Sequence, residues 1–151
     1  MSRSQDLPGF WQKRKMLFGP RTTPQTMLET GKRFMAAGRL DDALEFFART
    51  TASDEVRQIV RMAQERGDTA LFLRAKRVLK EEPTDEELVA IARAAEAAGC
   101  KFMAYVALLK AGHQEEADRL RAELAAQDGP ASDVASVPPA GSAGAKPQSS
   151  L

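Results

Sequence analysis

The chain has 151 residues, 22 of them basic and 21 acidic, for a net charge of +1. That length suits one domain with tails, and the charge balance excludes a strong overall attraction to nucleic acid or to an anionic membrane. One cysteine, Cys100, excludes an intramolecular disulfide and fits a reducing, cytoplasmic setting.

Residues 1–23 read as an N-terminal arm broken by Pro8, Gly9, Gly19 and Pro20. The arm carries Arg3, Lys13, Arg14, Lys15 and Arg21 against Asp6, a net +4, while residues 24–127 carry a net −2. It lacks the apolar stretch of a signal peptide. A helical domain is expected over 24–127. Thr23 or Thr26 caps its first helix, with Pro24 in the first turn, and the helix runs to Ala37 before Gly38. Asp41 and Asp42 open the next helix, which extends to about Arg49. Ser53 and Asp54 open the third, which ends at Gly67. Asp68 caps the fourth, and Pro83 is expected to end it. Thr84 and Glu87 form a capping box for the fifth, which Gly99 ends. The sixth spans about Lys101 to Ala111, and the seventh runs from Gly112 to about Gln127. Connections this short force neighbouring helices to pack antiparallel. Residues 128–151 hold four Pro, three Gly and five Ser, a composition expected to stay disordered because it buries too little apolar surface to offset the entropy of ordering.

Apolar spacing supports the helices. Leu71, Ala75, Val78 and Leu79 form one stripe; Leu88, Ile91, Ala92 and Ala95 form another; Ala117, Leu120 and Leu124 form a third. The sixth helix differs. Phe102, Met103, Val106, Leu108 and Leu109 cover most of its circumference, which predicts that it is sandwiched between other helices. The run 102–109 is far shorter than the ~20 residues of a membrane span.

The first hairpin has an ordered pattern: Gly31, two residues, Phe34, three residues, Gly38, four residues, Ala43, three residues, Phe47. Gly31 and Ala43 allow two backbones to approach, and Phe34 and Phe47 fill the space beside them. This pattern resembles the tetratricopeptide repeat over about one repeat. Gly112 with Ala117, after Tyr105 and Leu108, reproduces half of it. Gly67 is followed by Phe72 and Lys76 where a small and a large apolar residue are expected. The turn glycines Gly38, Gly67, Gly99 and Gly112 lie 29, 32 and 13 residues apart, about three and a half hairpins in a degenerate array. The resemblance implies an all-α fold of antiparallel hairpins stacked as a short α-solenoid, and a habit of binding peptides or proteins. It implies no enzyme activity. By the same analogy Leu28, Lys32 and Met35 of the first hairpin, with Phe102, Val106 and Leu109 of the later one, face an apolar groove.

Candidate chemistry is sparse. His113 beside Glu115 and Glu116 reads as a polar helix start. Cys100 reads as a structural or partly buried thiol. The acidic run at 85–87 complements a helix N-terminus. No zinc ligand set and no phosphate-cradling glycine loop is present, and neither a cofactor nor a small-molecule substrate is expected. Arg74, Lys76, Arg77 and Lys80 form a cationic strip on the fourth helix, with Arg57 and Arg61 on the helix before. The arm is the most unusual segment. Residues 9–20 crowd Phe10, Trp11, Leu17 and Phe18 around Lys13, Arg14 and Lys15. A helical wheel puts the four apolar side chains on one side, with Arg14 in its middle, which argues against a clean membrane-surface helix. The arm folds back over the first hairpin, docks its aromatics into a partner, or contacts RNA or acidic lipid through its mixed basic and aromatic character. The expected function is a non-enzymatic protein-binding module using the arm and the groove. The alternative is a nucleic-acid accessory protein using the arm and the fourth helix.

Overall fold

A computed structural model describes residues 6–128. The disorder expected of the tail therefore concerns positions outside the described residues. Eight helices follow one another: α1 (Phe10–Phe18), α2 (Pro24–Ala36), α3 (Leu40–Phe47), α4 (Ser53–Arg66), α5 (Thr69–Leu79), α6 (Asp85–Ala97), α7 (Lys101–Lys110) and α8 (Gln114–Gln127). There is no strand among the described residues.

Local chemistry sets most of the boundaries. The Thr23 hydroxyl accepts from the Thr26 amide at 3.2 Å, and the Asp68 carboxylate accepts from the Leu71 amide at 3.0 Å. Thr84 and Glu87 form the reciprocal capping box, at 3.2 and 3.0 Å. One boundary differs from expectation. α5 ends at Leu79 and not at Pro83, because Lys80 turns left-handed at φ 57° and the Glu81 amide bonds back to the Lys76 carbonyl at 3.0 Å.

Helices α2 and α3 form the first hairpin, α4 and α5 the second, and α6 and α7 the third; α8 packs on α7 as half of a further unit. The turns within hairpins contain Gly38, Gly67 and Gly99, while Gly112 lies between α7 and α8. In the first hairpin the Phe47 ring lies directly over Gly31. A Cβ on Gly31 would meet Phe47 Cε1 at 2.6 Å. Ala43, Phe34 and Phe47 are fully buried. Phe34 stacks on Phe46, with ring centroids 5.5 Å apart, so Phe46 joins a contact that the repeat pattern had assigned to Phe34 and Phe47.

The hairpins stack in two rows. α4 packs on α6, and α3, α5 and α7 pack in succession. Ion pairs extend the first row at both ends: Lys32 to Glu55 joins α2 to α4 at 3.5 Å, and Arg93 to Glu116 joins α6 to α8 at 2.7 Å. In the second row the fully buried Thr69 hydroxyl donates to the Met103 carbonyl at 2.9 Å, joining α5 to α7. One continuous core of Leu, Ile, Val, Phe and Ala side chains runs through all three hairpins.

Gly67 is the tightest point of the stack. It has φ 69°, and a Cβ there would lie 2.4 Å from the Ala95 backbone of α6. Gly99 has a similar φ of 77° but open space around it. Gly99→Ala should therefore cost only the left-handed strain of about 1–2 kcal/mol. Gly67→Ala should exceed it by at least about 1 kcal/mol, because it also forces two helices apart. Urea unfolding of the two variants measures the difference, and equal losses would contradict the close approach.

Candidate interaction surfaces

The arm is partly docked. α1 faces the domain with residues at i, i+3 and i+4: Lys13, Met16 and Leu17. Leu17 is 6% exposed and belongs to the core, and Met16 packs against that core. Lys13 forms ion pairs with Asp42 and Glu45 of α3. Partial burial opposes the Lys13 charge, but the hydrogen bonds to Asp42 and Glu45 outweigh it and hold the amine above its ordinary range. Asp42 falls below the usual carboxylate range because Lys13 overrides the effect of burial.

Leu17 and Lys13 are thus fold contacts and not partner contacts, which corrects the expectation that all seven arm residues face a partner. The helical wheel had grouped Leu17 with the aromatics; in the fold it turns inward and the aromatics turn outward. Phe10, Trp11 and Phe18 are 69%, 75% and 70% exposed, and Arg14 and Lys15 are exposed beside them. Between α1 and α2 lies an open groove of about 750 Å³ bordered by Pro8, Met16, Thr26, Thr30 and Arg33.

The expected groove does not form as one surface. Lys32 reaches Glu55 of α4, and Leu28 and Met35 are half-buried against the core. Phe102, Val106 and Leu109 lie on α7, in the other row. The repeat reading had taken Gly112 as a turn within a hairpin, which made residues 101–111 a first helix. The packing of α7 on α6 and α5 makes it a second helix. α7 is also not sandwiched. It buries Ala104, Ala107 and Leu108, but Phe102 is 61% and Leu109 44% exposed. Tyr105 and Val106 are half-buried between them, and Phe102 and Tyr105 lie 6.4 Å apart, ring to ring. Phe102, Tyr105, Val106 and Leu109 thus form a stripe at i, i+3, i+4, i+7. That spacing was visible in the sequence, but the apolar residues all round α7 obscured it.

The cationic strip on α5 is largely engaged. Arg74 pairs with Asp41. Lys76 is buried over the Phe72 ring and holds Glu87 at 2.8 Å and Glu81 at 3.4 Å. Lys76 thus fills the place of a large apolar residue with its alkyl stem. Arg77 and Lys80 remain outside the ion pairs among the described residues and share a cleft with Lys110. Cys100 is exposed and precedes α7, contrary to the expected partly buried thiol. His113 Nδ1 lies 3.5 Å from Glu116. No cluster of three metal-ligating side chains occurs among the described residues, and no helix among them is long and apolar enough to cross a membrane.

Two expected outcomes follow from these contacts. Leu17→Ala should lower unfolding free energy by about 2 kcal/mol or more, while Trp11→Ala should stay within about 0.5 kcal/mol of the parent. Urea unfolding distinguishes them, and a large loss in Trp11→Ala would show that its ring is covered.

The second outcome concerns pH. Burial opposes the Glu87 charge, yet Lys76 and Thr84 hold its carboxyl below the ordinary 4.5. Burial also opposes the Lys76 charge, yet Glu87 and Glu81 hold its amine above the ordinary 10.5. A depressed carboxyl stabilises the fold above its unfolded pKa and loses that contribution as pH falls through the folded value. A raised amine stabilises below its unfolded pKa and loses that contribution as pH rises through the folded value. Lys76→Met should cost about 1–3 kcal/mol at neutral pH and flatten the decline of stability on the acid side. Unfolding midpoints across pH test both effects.

No family model matches the chain, and no curated protein or solved structure matches it either.

Proposed function

We propose that the chain is a non-enzymatic, cytoplasmic protein-interaction module built as a short tetratricopeptide-like array. It takes an apolar helical segment of a partner protein on the outer face of α7. The observation that carries this reading is the stripe Phe102, Tyr105, Val106 and Leu109, which leaves two large apolar side chains, Phe102 and Leu109, exposed. Such a face is a liability unless something covers it, and its spacing fits helix-on-helix docking. Arg77, Lys80 and Lys110 gather in one cleft with Glu82 and the already engaged Glu81. Carboxylates on the partner segment would complement them. The resemblance of Gly31, Phe34, Gly38, Ala43 and Phe47 to the repeat supports the same reading. No catalysis, cofactor or small-molecule substrate belongs to it. The nucleic-acid alternative loses support because Asp41, Glu81 and Glu87 already engage Arg74 and Lys76.

The test is affinity capture from native lysate at low and at high salt, with the parent chain and with Phe102→Glu/Leu109→Glu. A discrete protein should remain on the parent at high salt, and the double variant should bind it at least about 30-fold more weakly, equivalent to about 2 kcal/mol. Capture that disappears with salt or nuclease, or that survives the double change, would overturn the reading.

A further inference from the structure

α1 packs on the core and on the α3 carboxylates through one side, by Lys13, Met16 and Leu17. Its opposite side is set outward. There Trp11, Arg14, Lys15 and Phe18 recur at i, i+3, i+4 and i+7, and all four are exposed. Phe10 lies edge to face against Trp11 at 5.3 Å. At 1.5 Å of rise per residue, the Trp11 and Phe18 positions are about 10 Å apart along the axis, with the two cations between them. The Arg49 guanidinium, following α3, sits 4.4 Å over the Phe18 ring and adds a third cation. None of the ion pairs among the described residues includes Arg14, Lys15 or Arg49, although Lys13 and Arg39 nearby are both paired.

We propose that this face of α1 rests on an anionic lipid bilayer surface, with Phe10, Trp11 and Phe18 at the headgroup boundary and Arg14, Lys15 and Arg49 over the lipid phosphates. Aromatic rings favour that depth, and cations near an anionic leaflet add to the attraction. The two contributions add, because interfacial binding grows with the apolar area buried and with the attraction to anionic lipid. Arg14 between the rings prevents deep burial of the helix and suits a shallow seat among headgroups. The whole domain then lies on the surface like a plate on one edge, because Lys13 and Leu17 fix the helix to α3 and the core. A single projecting helix also offers no extended track of phosphate contacts, since Arg74 and Lys76 on α5 are already paired. This inference goes beyond the α7 reading and does not depend on it.

Trp11 is the only tryptophan of the chain, so its fluorescence reports on the proposed contact directly. The full-length protein is titrated with vesicles of phosphatidylcholine alone and with vesicles of equal parts phosphatidylcholine and phosphatidylserine. The expected result is a blue shift and co-sedimentation with the anionic vesicles only, weakening as salt rises. Arg14→Glu/Lys15→Glu should weaken binding at least about 30-fold. Arg61→Glu/Arg121→Glu changes the net charge equally, away from α1, and should leave binding within about twofold if the contact is local. Phe10→Ser/Phe18→Ser keeps the reporter and should also weaken binding. Circular dichroism checks that each variant is folded. The proposal is overturned if the parent shows no shift or sedimentation at low salt, or shifts equally on neutral vesicles. It is also overturned if the α1 charge reversal binds as well as the parent, or if single-stranded RNA produces the shift and anionic vesicles do not.

Discussion

The geometry of the array depends on the backbone of Gly67 lying against the backbone of Ala95. No side chain fits between them, so α4 and α6 close to the shortest separation that backbones permit. Fully buried Ala63, Ala92 and Ala95 keep that seam thin along its length. The same closure brings α5 beside α7, where the Thr69 hydroxyl reaches the Met103 carbonyl. A buried hydroxyl without a partner is costly, so this one bond rewards the spacing that the glycine allows. The contacts across both rows thus follow from one position with no side chain.

Ion pairs decorate the seams between hairpins. Arg74 reaches Asp41, Arg119 reaches Glu96, and Lys101 reaches Glu123. Exposed pairs of this kind contribute at most about 1 kcal/mol each, so the fold rests on its apolar core. Their effect is to place opposite charges only where the correct neighbour docks, which disfavours a slipped stack. Lys76 is the exception, because its ammonium is enclosed by Phe72, Glu81 and Glu87.

The helices, their caps and the first hairpin were legible in the sequence because they depend on residues a few positions apart. Thr84 and Glu87, or Gly31 and Phe47, interact within one turn or one hairpin. The pairing of helices was not legible in the same way. Gly99 and Gly112 look alike as turns, and only the packing of α6 on α4 and of α7 on α5, tens of residues away, makes α7 a second helix. The same holds for α1. Leu17 and Phe18 are neighbours of similar character, and what turns one inward is a pair of carboxylates on α3, at Asp42 and Glu45. The role of Lys76 was also hidden, since its partners belong to the loop and helix that follow. Of the expected interaction residues, the outward aromatics, Arg14 and Lys15 of the arm and Phe102 and Leu109 of α7 are exposed, with Val106 half-buried between the last two. Leu28 and Met35 are drawn towards the core.

The hairpin-by-hairpin stacking has a consequence for how the chain reaches this state. Apart from the arm, the main helix contacts join elements adjacent in sequence or one hairpin apart, so no contact in the stack waits for the distant end of the chain. Loops closed between such near neighbours are short, and topologies dominated by them fold fast. A growing polypeptide can complete α2 and α3 before α6 has been synthesised, and each later hairpin finds a finished surface to add to. Among the described residues α8 joins last, covering one flank of α7 and leaving the Phe102 and Leu109 face of that helix in water.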